Sequence, residues 1–132
     1  MRAGLLIALA LAGCAGDQER VAKAERREAG ELASRLEGRV AGKPERCVDV
    51  QRLQGPQPYG GRTLIYNDGS RLWRNDVIGQ CPGLWGDPVI IADVYGSQLC
   101  RNDRFRTVQR GGGNIPSAYC RLGDFVPYTR PR

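Results

Sequence analysis

The sequence predicts a mainly β protein: a small antiparallel sheet or barrel of five or six short strands, preceded by an N-terminal helical tether. Three observations carry this reading. From Arg46 onward, short runs of half-apolar residues are separated by Gly, Pro, Asn and Asp, which is the pattern of strands and turns. Before Pro44 lies a stretch rich in Ala, Glu and Arg with no aromatic residue, a composition that favours helix. Four cysteines, Cys47, Cys81, Cys100 and Cys120, are spread through the strand-like part. No Cys-x-x-Cys occurs and the chain has no histidine, so the cysteines read as two disulfides rather than as a zinc site.

The chain opens with one charge, Arg2, and an apolar run from Gly4 to Ala12 that stops at Cys14. This run is far shorter than the roughly 20 apolar residues of a membrane-spanning helix, so residues 1–13 read as a cleaved signal peptide. The segment Leu11-Ala12-Gly13-Cys14 resembles the lipobox of bacterial lipoproteins: leucine, a small residue, Gly or Ala, then Cys. The resemblance implies a diacylglyceryl group on Cys14, cleavage before it, and a further fatty acyl chain such as palmitate on the new amino group. Membrane attachment would then run through lipid on Cys14, placing the protein in the cell envelope. Ala15 rather than Asp follows the cysteine, which in a host with two membranes implies the outer membrane, facing the periplasm. An ordinary signal peptide with an incidental Cys14 is the alternative. The 119 residues that remain suffice for one domain and a tether.

Residues 14–43 are read as the lipidated cysteine and a charged helical tether. Leu32, Leu36 and Val40 recur at i, i+4 and i+8, with Ala29 and Ala33 beside them, giving a narrow apolar stripe. Glu19 with Lys23 and Glu31 with Arg35 are spaced as ion pairs. A helix over 18–40 would span about 35 Å as a semi-rigid stalk, with docking on the domain or self-association as the alternatives.

Residues 44–132 are read as the disulfide-stabilised β domain. Residues 47–53 alternate as a first strand, and 54–61, with two prolines and three glycines, form a loop. Residues 63–66 and 71–74 flank Asn67-Asp68-Gly69-Ser70, and a two-residue turn at Asp68-Gly69 would place Ile65 opposite Leu72 and Leu64 opposite Trp73. Cys81-Pro82-Gly83-Leu84-Trp85-Gly86 is a loop that carries a large aromatic. Residues 89–95, the most apolar run after the signal, read as a buried strand. Residues 97–100 continue it after Gly96, 105–109 return, 111–114 are an irregular glycine loop, and 120–128 supply a last strand or covering segment.

The formal charge of +6 is unevenly spread. From Cys100 onward seven arginines (Arg101, Arg104, Arg106, Arg110, Arg121, Arg130, Arg132) face only Asp103 and Asp124. Arginine forks suit carboxylates and phosphates, so Arg104, Arg106 and Arg110 are candidates for binding an anionic envelope partner; a solvated basic face is the alternative. No nucleic-acid motif is present, and an exported chain has no call for one.

Without histidine a serine triad lacks its usual base, and no cofactor motif is found. The run Gly111-Gly112-Gly113 lacks the Lys-Ser/Thr ending of a phosphate loop, and Asp-rich calcium spacing is missing. Paired carboxylates drawn from Asp49, Asp76, Asp93, Asp103 and Asp124 are the one route to catalysis, as a cell-wall glycan hydrolase. Trp85 is the aromatic to test for binding, because it sits in a loop rather than on a strand. The sequence is read as a lipid-anchored, non-enzymatic binding or accessory module, with the hydrolase as alternative.

Arg74-Asn75-Asp76 leading to Cys81-Pro82-Gly83-Leu84, Leu99-Cys100 followed by Asp103, and 120–127 together resemble a family of small uncharacterised proteobacterial envelope proteins, a domain of unknown function. The resemblance implies a four-cysteine exported domain and no activity.

Four cysteines allow three pairings. If consecutive strands run up and down, Cys47 and Cys100 fall at one end of the sheet and Cys81 and Cys120 at the other. Cα atoms in a bridge are about 4.4 to 6.8 Å apart, so this count favours Cys47 with Cys100 and Cys81 with Cys120. Pairing of sequence neighbours is the alternative.

Overall fold

The computed structural model describes residues 5–132, with side chains from Ala15. The signal peptide and the lipobox, Cys14 included, lie outside the residues described in full. One helix, α1 (Leu5–Leu36), precedes ten strands: β1 (Val40–Ala41), β2 (Cys47–Asp49), β3 (Gln54–Tyr59), β4 (Thr63–Asp68), β5 (Arg71–Asp76), β6 (Val89–Ala92), β7 (Gln98–Cys100), β8 (Arg104–Val108), β9 (Cys120–Arg121) and β10 (Phe125–Thr129). The strands form three antiparallel sheets, ordered β1-β10-β5-β4-β3, β2-β7 and β6-β8-β9. The protein is thus mainly β, as expected, but its ten strands lie in three open sheets rather than in one sheet or a barrel. Gly42 ends β1, Gly55, Pro56 and Pro58 lie within β3 and Pro127 within β10, and each proline withholds a donor from its ladder.

The central strands of the five-stranded sheet, β4 and β5, are covered on both faces. On one face Leu64, Tyr66, Trp73 and Phe125 meet Val48 and Leu99 of the β2-β7 pair and Phe105 of β8. On the other, Tyr59, Ile65 and Leu72 are covered by Leu32 and Leu36 of α1 and by Tyr128. This explains why β4 reads as a continuous apolar run, since both pleats face a packed layer.

The β4-β5 hairpin is present in a shifted register. Tyr66 opposes Trp73, Ile65 opposes Arg74, and the two-residue turn is Gly69-Ser70 rather than Asp68-Gly69. Gly69 takes φ +60° as the first turn residue, while Asp68 stays on the strand, where its carboxylate is 2.6 Å from Arg71 Nη2. A turn with positive φ only at its first centre asks for Gly there, and the ion pair holds Asp68 out of the loop.

Of the run 89–95 only Val89–Ala92 is strand, and β6 is an edge strand rather than a buried one: Ile90 and Ala92 pack on the core, while Val89 and Ile91 are exposed. The three-stranded sheet has only one covered face, so every second residue of β6 meets solvent. Residues 98–100 do not continue β6 but pair with β2.

The boundary placed before Pro44 falls inside the folded unit. Leu36 ends α1, and Val40–Ala41 joins the main sheet through Thr129 and Tyr128. Neither expected helix pair forms among the described residues: Glu31 meets Arg27 at 3.7 Å rather than Arg35, and Glu19 and Lys23 are not within 4.0 Å of each other, while Asp17 meets Arg20 at 4.0 Å.

Cys47 is bonded to Cys100 and Cys81 to Cys120, with Cα separations of 4.0 and 5.9 Å. The pairs are those the end-counting gives, for a different physical reason. Cys47 and Cys100 are direct cross-strand partners in a sheet of their own. Cys81 leaves the main sheet after β5 and reaches the start of β9 in the three-stranded sheet.

Candidate functional site

Trp85 is positioned by the turn before it. Pro82–Leu84 is a single 3-10 turn whose Leu84 is fully buried and whose Gly83 carbonyl accepts from Gln109 Nε2 at 2.8 Å. The indole then lies over Gly60 and Gly61, where a Cβ on Gly61 would come 2.8 Å from the ring nitrogen. Only glycine permits that approach. On the far side of Gly60, Glu28 of α1 accepts from its backbone N–H at 3.2 Å.

Helix, glycine pair and indole enclose a cleft of about 310 Å³, lined among others by Glu25, Glu28, Tyr59, Gln80 and Trp85. That volume is at the lower end of small-ligand sites. Burial is the main cause that raises the Tyr59 phenol pKa, with Arg35 nearby pulling it down. Two glutamate carboxylates, which accept, beside an indole suit a neutral or cationic group that donates hydrogen bonds. The sequence singled out Trp85 but not α1 as its opposite wall. The signals for it were the Gly60-Gly61 pair and the thin apolar stripe of the helix.

Arg104, Arg106 and Arg110 do not converge on one open cradle. Arg104 and Arg106 share a face of β8 and both stack on Tyr119, at 4.6 and 4.9 Å from the ring centroid. Arg104 also meets Asp93 at 3.4 Å, and its pKa is raised, first by hydrogen bonding with Tyr95. Arg110 Nε lies 3.1 Å from both the carboxylate and the backbone oxygen of Asp87. Arg101 pairs with Asp124 at 2.8 Å. The acids that answer these arginines come mainly from either side of β6, Asp87 and Asp93, ahead of the arginine-rich stretch in the sequence.

The five aspartates considered for hydrolysis are each engaged in a different contact. Asp49 accepts from the Gln51 N–H, Asp76 from Thr63 Oγ1, and Asp103 from the Cys100 N–H. Asp93 and Asp124 hold Arg104 and Arg101. Among the described residues no group of three or more His, Cys, Asp or Glu could hold a metal ion, and no helix is long and apolar enough to cross a membrane. No protein-family model, curated protein or solved structure matches the chain.

Proposed function

We propose that this chain is a lipid-anchored envelope protein that acts as a non-enzymatic binding or accessory module, attached through Cys14 and engaging its partner at the cleft beneath Trp85. The observation that carries the reading is the double use of α1. Its N-terminal part includes Cys14, and its C-terminal half supplies Glu25, Glu28 and Leu32 to the cleft wall. A lipid chain contributes roughly 0.8 kcal/mol per buried methylene, so anchoring at one end of a helix would hold the cleft at a set distance from the membrane. The aspartates a glycan hydrolase would draw on are separately committed to the fold, which favours binding over hydrolysis.

The anchor and the cleft are tested apart. Cys14→Ser should remain unprocessed or be released from membranes, and mass spectrometry of the native N-terminus should show a diacylglyceryl cysteine; an unmodified Cys14 ends the anchor reading. For the cleft, the native protein in non-ionic detergent is titrated with soluble peptidoglycan fragments while tryptophan emission is followed. Trp73 is buried and Trp85 is half-exposed, so a saturable shift should belong to Trp85 and vanish in Trp85→Phe. A shift that persists in Trp85→Phe, or none in the native protein, refutes this site.

A further inference from the structure

Among the described residues, four of the arginines that have no carboxylate within 4.0 Å, Arg35, Arg39, Arg130 and Arg132, gather at the opposite end of the helix from the anchor, whereas the others, such as Arg46, Arg62 and Arg106, are scattered. After Leu36 the chain turns through Gly38 and lays Arg39 against the β4-β5 turn and β10. Its guanidinium donates to the backbone oxygens of Ser70 at 2.7 Å and Tyr128 at 3.4 Å. Those bonds orient the fork without neutralising it. Arg35, one turn earlier, and Arg130, just beyond β10, are near enough to lower the Arg39 pKa further after partial burial has done so. A concavity of about 570 Å³ opens between Arg39, Ser70, Thr129, Arg130 and Arg132.

Among the described residues none of Arg35, Arg39, Arg130 and Arg132 has a carboxylate within 4.0 Å, whereas Arg101, Arg104 and Arg110 each have one. The C-terminal carbonyls of α1 offset part of the charge on Arg35, but that effect fades within the last helical turn and leaves Arg39 and Arg130 unanswered. Like charges gathered around a hollow raise the local affinity for counter-ions.

We propose that this concavity binds a phosphate group, with guanidinium forks from Arg39, Arg130 and Arg132 as its donors. Guanidinium is the side chain that matches phosphate oxygens two at a time, and Arg39 is already held in place by its carbonyl bonds. The hollow is larger than one phosphate, so the group enters with whatever it is esterified to. The site is separate from the Trp85 cleft and does not depend on it.

The test uses the native protein in non-ionic detergent and two probes, inorganic phosphate and a short-chain phosphatidylglycerol, followed by calorimetry. Saturable binding of either supports the site: phosphate alone points to a soluble phosphate compound, and the lipid alone to a headgroup. Arg130→Gln with Arg132→Gln should weaken binding roughly tenfold or more, as expected when charge-assisted bonds are removed, and leave the unfolding midpoint unchanged. Arg104→Gln with Arg106→Gln should leave binding intact. Absence of binding for both probes, or binding indifferent to the Arg130 and Arg132 changes, overturns the proposal.

Discussion

Asn75 shows at the residue scale how the recognisable motifs serve the fold. Its side chain is fully buried, donating from Nδ2 to the Gly123 carbonyl at 2.8 Å and accepting the Gly123 N–H on Oδ1 at 2.9 Å. A Cβ on Gly123 would run into the Asp76 carbonyl, so glycine is required for the two segments to close. The amide imitates a strand neighbour where no strand continues. Asn75→Leu would leave both backbone groups of Gly123 buried and unpaired, at about 1 to 3 kcal/mol each. Urea unfolding should therefore show a loss of about 2 to 6 kcal/mol with little change in slope. A loss under about 0.5 kcal/mol would mean that the groups find other partners. The sequence displayed both halves of this contact, Arg74-Asn75-Asp76 and Leu122-Gly123-Asp124. It could not show that they meet, because side-chain pairing across 48 positions leaves no periodic trace.

At the scale of elements, α1 was legible as a helix but not as part of the domain. Its stripe of Leu32 and Leu36 is too thin to demand a partner, and a stalk satisfied it equally well. The complementary clue lay elsewhere, in the consecutive apolar residues Leu64-Ile65-Tyr66, which alternation on one covered face does not explain. Leu32 and Leu36 supply the second cover over Ile65 and Leu72. Leu32→Asp with Leu36→Asp should release the C-terminal half of α1, since each half-buried leucine contributes about 1 to 2 kcal/mol. Hydrogen exchange should show residues 25–36 losing protection while β4 and β5 keep theirs. Retained protection in α1 would assign the docking to Glu28 and the glycine pair instead. Strand β6 marks the converse failure: hydrophobicity alone promised burial, yet a sheet with one covered face must expose half of even its most apolar strand.

On the scale of the whole molecule, the three sheets are separate hydrogen-bonded units, and what joins them decides stability. The mainly β class followed from turn punctuation, but the division into sheets did not, because it depends on which short strands find each other across long separations. The two disulfides hold different kinds of junction. Cys47–Cys100 bridges strands already paired through Val48 with Leu99 and Asp49 with Gln98. Cys81–Cys120 joins the exit of the main sheet to the three-stranded sheet, where the isolated bridge of Ile78 with Arg121 is the neighbouring ladder contact, and Cys81 is fully buried in the core. Chain entropy ranks the bridges by loop length, and spans of 53 and 39 residues favour Cys47–Cys100 by only about 0.3 kcal/mol. Burial ranks them the other way, because deleting a core sulfur removes packing contacts and leaves a void. The Cys81→Ala, Cys120→Ala variant should therefore be less stable than Cys47→Ala, Cys100→Ala by about 1 kcal/mol or more in urea unfolding of the oxidised proteins. Equal or reversed losses would show that β2 and β7 depend on their bridge for pairing, and that the three-stranded sheet is held to the core by Phe105 and Leu122 without covalent help.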